Sequence, residues 1–141
     1  MLVAVVGFVA CKSSDKKTTG VTLTAEEKAK AISDSTNFTT IQWLDPVDKE
    51  LGTLKKDSTI EISYRFKNTG DKNLVIENVT AQCGCTIPEK PEQAFGPGDE
   101  GVIKAKFNGS GHGVIKKEIY VIAITKPKKD HTLSFTGEVN E

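Results

Sequence analysis

The sequence predicts an all-β fold, an antiparallel β-sandwich of about seven strands, on three observations. From Phe38 onward large apolar residues recur at every second position, the period of a strand with one buried face. Clusters of Gly, Pro, Asn and Asp interrupt that pattern at short intervals. The patterned stretch is about 105 residues long, enough for one sandwich and too short for a second core.

Residues 1–10, Met-Leu-Val-Ala-Val-Val-Gly-Phe-Val-Ala, are uniformly apolar or small, and the character switches at Cys11-Lys12-Ser13-Ser14-Asp15. A membrane-spanning helix needs about 20 apolar residues, whereas the core of a secretory signal needs only about 7–15, so 1–10 reads as a signal peptide. Ala10 directly before Cys11, with Val9 and Phe8 ahead of it, resembles the bacterial lipobox. That resemblance implies that Cys11 becomes the lipidated first residue of an exported protein.

Residues 11–37 are rich in Lys, Ser, Thr, Asp, Glu and Ala and hold few large apolar side chains, the composition of a flexible tether. Within it Thr24-Ala25-Glu26-Glu27 has the spacing of a capping box, which predicts a short helix over Ala25 to Asp34. Ala29 and Ile32 are its expected packing residues. Residues 38–141 form the predicted sandwich.

Its strands follow in order. Phe38 to Leu44 and Leu51 to Leu54 come first. Ser58 to Lys67 alternates cleanly and sets Ile60, Ile62, Tyr64 and Phe66 on one face. Asn68-Thr69-Gly70-Asp71 supplies a turn, and a strand from Leu74 runs through Ile76, Val79, Ala81, Cys83 and Cys85; these two strands are expected to form a hairpin. Gly96-Pro97-Gly98-Asp99 turns into the strand Val102 to Phe107, and Asn108 to Gly113 turns again. Ile115 to Ile124 and Thr132 to Val139 complete the set, with Phe135 facing the core. Antibody-type domains carry widely spaced cysteines around a core Trp. Here Cys83 and Cys85 are nearly adjacent and Trp43 lies far upstream, so the sandwich is immunoglobulin-like without the antibody disulfide.

The 141 residues balance 19 Lys and Arg against 19 Asp and Glu, which argues against an electrostatically driven nucleic-acid binder. Lys126-Pro127-Lys128-Lys129 is followed at once by Asp130 and reads as a solvated loop tip.

With Cys11 assigned to lipid, Cys83 and Cys85 remain as a pair. Residues two apart in an extended strand lie about 6.6 Å apart, at the upper end of the roughly 4.4–6.8 Å that a disulfide spans, and Gly84 gives the backbone freedom to contract. The pair reads first as a structural element, packed thiols or a local disulfide. A redox pair and a soft-metal site for copper(I) are the other readings, and no cationic neighbour in sequence favours a thiolate. Gly109-Ser110-Gly111-His112-Gly113 places Ser beside His, but a nucleophile elbow needs Gly-x-Ser-x-Gly before a helix, and no helix pattern follows. His112 and His131 stand on predicted turns, exposed. Asp34-Ser35-Thr36 and Asp57-Ser58-Thr59 resemble acceptor sites for O-linked glycans, and local Asx-turn bonding explains them equally. The sequence assigns no catalytic residue, metal ligand or cofactor.

The series Phe66-Lys67-Asn68-Thr69-Gly70-Asp71, Leu74-Val75-Ile76, Cys83-Gly84-Cys85-Thr86, Pro97-Gly98-Asp99 and Gly137-Glu138-Val139 resembles the bacterial domain-of-unknown-function family 1573 over about Leu51 to Val139. The resemblance implies an immunoglobulin-like domain of the Hydin and PapD-like type, and an exported lipoprotein of Gram-negative bacteria of the Bacteroidetes group. It implies no activity. The expectation for function is a non-enzymatic interaction or structural module, anchored to the outer membrane through Cys11 and binding an envelope protein or glycan. A periplasmic redox or copper(I)-binding protein centred on Cys83 and Cys85 is the alternative. Open sheet edges would offer the binding surface, with Lys104, Lys106, Lys116 and Lys117 guarding an edge against self-association.

Overall fold

The structure, a computed structural model of the chain, describes residues 20–141. The predicted signal peptide, Cys11 and the first part of the tether lie outside the described residues.

Two four-stranded sheets face each other. One has the order β2-β4-β8-β6, with β2 at Ile41–Trp43, β4 at Ile60–Asn68, β6 at Thr86–Glu89 and β8 at Glu100–Phe107. The other has the order β3-β10-β9-β5, with β3 at Asp48–Lys55, β5 at Ile76–Ala81, β9 at Gly113–Ala123 and β10 at Asp130–Asn140. A two-residue ribbon joins β1 at Gly20–Val21 to β7 at Ala94–Phe95. The immunoglobulin-like sandwich is therefore the fold, with one departure from the antiparallel expectation: β3 runs parallel to β10, from Asp48↔Ser134 to Lys55↔Asn140.

The alternation read in the sequence sets the core. Ile62, Tyr64, Phe66, Ile76 and Phe135 are all buried, and from the facing elements Phe95, Ile103, Phe107, Leu133 and Val139 join them. Each large side chain so buried contributes about 1.5–3 kcal/mol relative to exposure. The ring centroids of Phe66 and Phe95 lie 5.0 Å apart at 83°, and those of Phe107 and Phe135 5.4 Å apart, edge-to-face and tilted contacts that add to burial.

Two expected connections differ. The strands flanking Asn68 to Asp71 form no hairpin: β4 and β5 belong to opposite sheets, and the segment between them crosses the end of the sandwich. The strand from Leu74 ends at Ala81, not at Cys85, and Gln82 to Cys85 form a turn that carries the chain into β6 of the other sheet. In both places the apolar face of one strand is satisfied by the opposite sheet, so a sequential neighbour need not be a ladder partner.

Helix α1, Ala25–Ser33, is capped as its sequence predicts: Glu27 N–H donates to Thr24 Oγ1 and Thr24 N–H to Glu27 Oε2. It lies on the domain. A second small core of Val75, Ala94 and Ile124 receives Leu23, Ala31, Ile32 and Phe38, while Ala29, an expected packing residue, is exposed. Lys28 Nζ donates to Glu92 O and joins the helix to the segment after β6.

The four lysines expected to guard an edge do not stand on one. Lys104 and Lys106 lie on β8, between β4 and β6, and Lys116 and Lys117 on β9, between β10 and β5. Period two distributes them over strand faces; sheet order alone decides which strands are edges.

Candidate interaction site

The motif residues gather at the ends of the sandwich. Asn68, at the end of β4, is fully buried and every polar atom of its side chain is engaged. Its Nδ2 donates to Lys72 O at 2.7 Å and to Phe95 O at 2.9 Å; its Oδ1 accepts from Thr39 Oγ1 at 2.7 Å and from Gly70 N at 3.1 Å. This one side chain ties the 68–73 crossover to β7 and to the segment entering β2. Glycine is required at position 70 because a Cβ there would overlap Thr39 Oγ1 and lie 2.8 Å from Thr40 N.

Gly96 to Asp99 close a turn in which Asp99 N donates to Gly96 O at 3.0 Å and Gly98 takes φ +83°, the left-handed region that glycine enters freely. Asp99 Oδ2 accepts from Gly96 N at 2.9 Å. Asn68 N and Gly98 N donate to Asp99 O and Asn68 O, both at 2.9 Å, so the two motifs are bonded to each other.

Cys83 and Cys85 are joined by a disulfide with a Cα–Cα distance of 5.3 Å. The turn brings them closer than an extended strand would. Thr86 N donates to Cys83 O at 3.4 Å, Asn108 N to Cys85 O at 3.0 Å and Gln82 N to Glu118 O at 3.0 Å, so the bridge sits where the chain is bonded to both sheets. Cys85 packs against the main core and Thr86 Oγ1 is 3.9 Å from its sulfur. These surroundings are structural, and nothing in them supports redox chemistry.

The histidines part ways. His112 is exposed, in the turn before β9. His131 is not on a turn: it lies on β10, half-buried, its ring 5.9 Å from that of Trp43 and its Nε2 2.8 Å from Thr125 Oγ1. Burial holds its pKa below the ordinary imidazole value, with Lys128 adding to the effect and Asp130 opposing it. The sequence misplaced it because loop composition continues up to Asp130, while the ladder to Val121 already includes it. Asp34 Oδ1 accepts from Thr36 N at 3.0 Å and Thr36 Oγ1 at 2.7 Å, a local turn as read for that motif. Asp45 accepts from the side chain and backbone of Arg65, and these bonds hold its carboxyl well below the usual carboxylate range. No cluster of three or more His, Cys, Asp or Glu suited to a metal ion occurs among the described residues.

One feature of the sheet was not read from the sequence. Strand β6 pairs with β8 from Thr86↔Phe107 to Glu89↔Lys104 and then leaves it. The bond from Asn108 N to Cys85 O shows that the even-numbered residues of β8 turn their N–H and C=O groups toward β6. Pro88 opposes Ala105, a position with no ladder bond to make. The next proline, Pro91, would oppose Val102, where a donor is required and proline has none. The chain therefore peels away at Lys90–Pro91. The outer edge of β8 at Glu100 and Val102 is left without a neighbouring strand, on a groove of about 470 Å³ lined by Arg65, Lys90, Pro91, Phe95, Val102 and Lys104. The sequence signal for this site is a pair of prolines of opposite ladder parity, legible only once the register is known.

Among solved structures the fold is similar to a protein of unknown function from Porphyromonas gingivalis W83, with a TM-score of 0.64 at 14% identity over 74% of this chain and 49% of that one. It is similar to a human ASH/PapD-like domain of CEP192, with a TM-score of 0.57 at 12% identity over 99% of this chain and 98% of that one. It is also similar to part of the Vibrio cholerae VesB protease, with a TM-score of 0.56 at 11% identity over 90% of this chain and 43% of that one. The chain spans about half the length of the Porphyromonas protein, and at these identities the likeness shows the fold alone. No curated protein matches the chain. The family model described as protein of unknown function DUF1573 matches residues 41–139, which hold the Asn68 crossover, the Cys83–Cys85 turn and the Pro97–Asp99 turn, and the chain belongs to that family.

Proposed function

We propose that this protein is a binding module of the cell envelope: exported, held to the outer membrane by lipid on Cys11, and engaging an envelope protein or glycan through its β-sandwich without catalysing a reaction. The observation that carries the reading is the employment of the motif residues. Asn68, Gly70, Asp99, Cys83 and Cys85 all serve the fold, bonding crossovers and turns to the sheets. A family motif devoted to shaping sandwich ends supports a scaffold that presents surface, and the apolar run ending in Ala10-Cys11 supports its attachment. Among the described residues no helix is long and apolar enough to cross a membrane.

The test has two arms. Intact-mass measurement and detergent phase partitioning should find acyl mass on the wild type and none on a Cys11→Ser variant; an unmodified wild-type N-terminus would refute the anchor. The purified domain should show no thiol–disulfide exchange at enzymatic rates and no stoichiometric copper(I) that disappears in a Cys83→Ser, Cys85→Ser double variant. Either activity would replace the binding-module reading.

A further inference from the structure

We infer that residues 20–33 are a releasable strap: docked on the sandwich they hold the domain close to the membrane, and detached they lengthen its tether about threefold. The inference rests on the lipid anchor at Cys11 in the proposed function and adds a conformational change to it.

The strap stands apart from the sandwich on which it lies. The family match begins at residue 41, after it. Its apolar residues Leu23, Ala31 and Ile32 are half-buried, and they reach only the small second core of Val75, Ala94 and Ile124, with no part in the main core. Helix α1 has 9 residues and buries none of them. A helix shorter than about 12 residues is marginal in water, so α1 forms only while it is docked. Its ionic contact, Lys28 Nζ to Glu92 Oε2 at 3.8 Å, is open to screening, since the Glu92 side chain is 73% exposed. A segment with so little buried apolar surface opens at a lower free energy than the whole domain.

What the strap leaves behind is held by other bonds. Strand β7 does not depend on β1, because Phe95 N donates to Leu74 O at 2.8 Å and Leu74 N to Phe95 O at 2.7 Å. Past the strap the chain is fixed again at Thr39, which is fully buried. Thr39 N donates to Ile124 O at 3.1 Å, Lys126 N donates to Thr39 O at 2.9 Å, and Thr39 Oγ1 donates to Asn68 Oδ1 at 2.7 Å. Among the described residues, Gly20, paired with Phe95, is thus the first point of attachment while the strap is docked, and Thr39 is the first once it is released. At roughly 3.6 Å per residue, Cys11 to Gly20 spans at most about 32 Å and Cys11 to Thr39 at most about 100 Å. A partner beyond the shorter reach binds only the released form, so the released fraction scales its apparent affinity.

Hydrogen exchange is read on the purified chain, and neutron reflectometry on the same chain seated by its lipid on a supported phospholipid bilayer. The amides of Lys28 to Ser33 should exchange at least about tenfold faster than those of β4 and β9, yet more slowly than in an unstructured chain. Ile32→Asp sets a charge against the second core and should speed the helix amides at least about tenfold while leaving the sheet amides unchanged. Lys28→Glu places like charge beside Glu92, should act in the same direction, and keeps the test alive if Ile32→Asp disturbs the sheets. On the bilayer the wild type should hold its domain within the shorter reach, and Ile32→Asp should move the domain outward by a distance on the order of tens of Å. Helix amides that exchange in step with the sheets, helix amides with no protection, or one domain height for the wild type and both variants would overturn the strap. A chain whose intact mass shows no lipid on Cys11 overturns the anchor, and the reach with it, while its exchange rates still report whether α1 docks and releases.

Discussion

The Tyr64 hydroxyl donates to the Ser134 carbonyl oxygen at 2.6 Å, joining β4 of one sheet to β10 of the other through the buried interior. Tyr64 has no exposed surface, and burial, aided by the nearby Asp48, raises its pKa well above the ordinary phenol value. Its hydroxyl is therefore a donor at every working pH. Tyr64→Phe keeps the ring and removes this one bond between the sheets, so it should cost about 0.5–1.5 kcal/mol in urea unfolding. A loss below about 0.3 kcal/mol would mean that water or another donor replaces the phenol.

Phe66 should be costlier. Its ring is fully buried against Phe95 and Trp43, so Phe66→Ala should destabilise by about 3–5 kcal/mol. A loss under about 1 kcal/mol by the same measurement would show that the ring does not face the core.

Asn68 concentrates four side-chain hydrogen bonds in a buried position. Asn68→Ala leaves the Lys72 and Phe95 carbonyls and the Gly70 N–H without that partner, and a loss of about 2–4 kcal/mol is expected. Asn68→Asp should be at least as harmful, since an acceptor-only carboxylate faces two carbonyl oxygens. Should Asn68→Asp prove as stable as the wild type at neutral pH, the hub is not organised as described.

His131 predicts the direction of the pH response. Because its folded pKa lies below the ordinary value, the unfolded chain takes up the proton first as pH falls. The contribution to stability is whole well above about pH 6.5, erodes as the pH drops through that value, and is fully lost below the folded pKa. Unfolding free energies at about pH 7.5 and about pH 5 should differ less in His131→Gln than in the wild type. An unchanged difference would place the titrating group elsewhere.

The Cys83–Cys85 bridge closes a very short loop, so its effect on chain entropy is small. Replacing both by Ser should cost no more than about 1.5 kcal/mol on the loop-entropy scale. A thiol-labelling count before and after reduction checks the bond itself: no free thiol at these positions before reduction, and both after it.

The sandwich and most of its core were legible in the chain's local pattern. Alternation is a local property of the chain, so Ile62, Tyr64 and Phe66 could be set on one face without knowing what they meet, and the Thr24–Glu27 cap could be read from spacing alone. Which strand neighbours which was decided only by the tertiary structure, because pairing depends on contacts far apart in the chain. The crossover in place of a hairpin at Asn68, the parallel pairing of β3 with β10, the place of His131 on a strand and the central position of the lysine-bearing strands all follow from that level. The open edge of β8 is the clearest instance. Pro88 and Pro91 look alike in the sequence, and only the register against Ala105 and Val102 makes the first harmless and the second the end of a strand, since neither proline has a donor and the ladder needs one only at the second position.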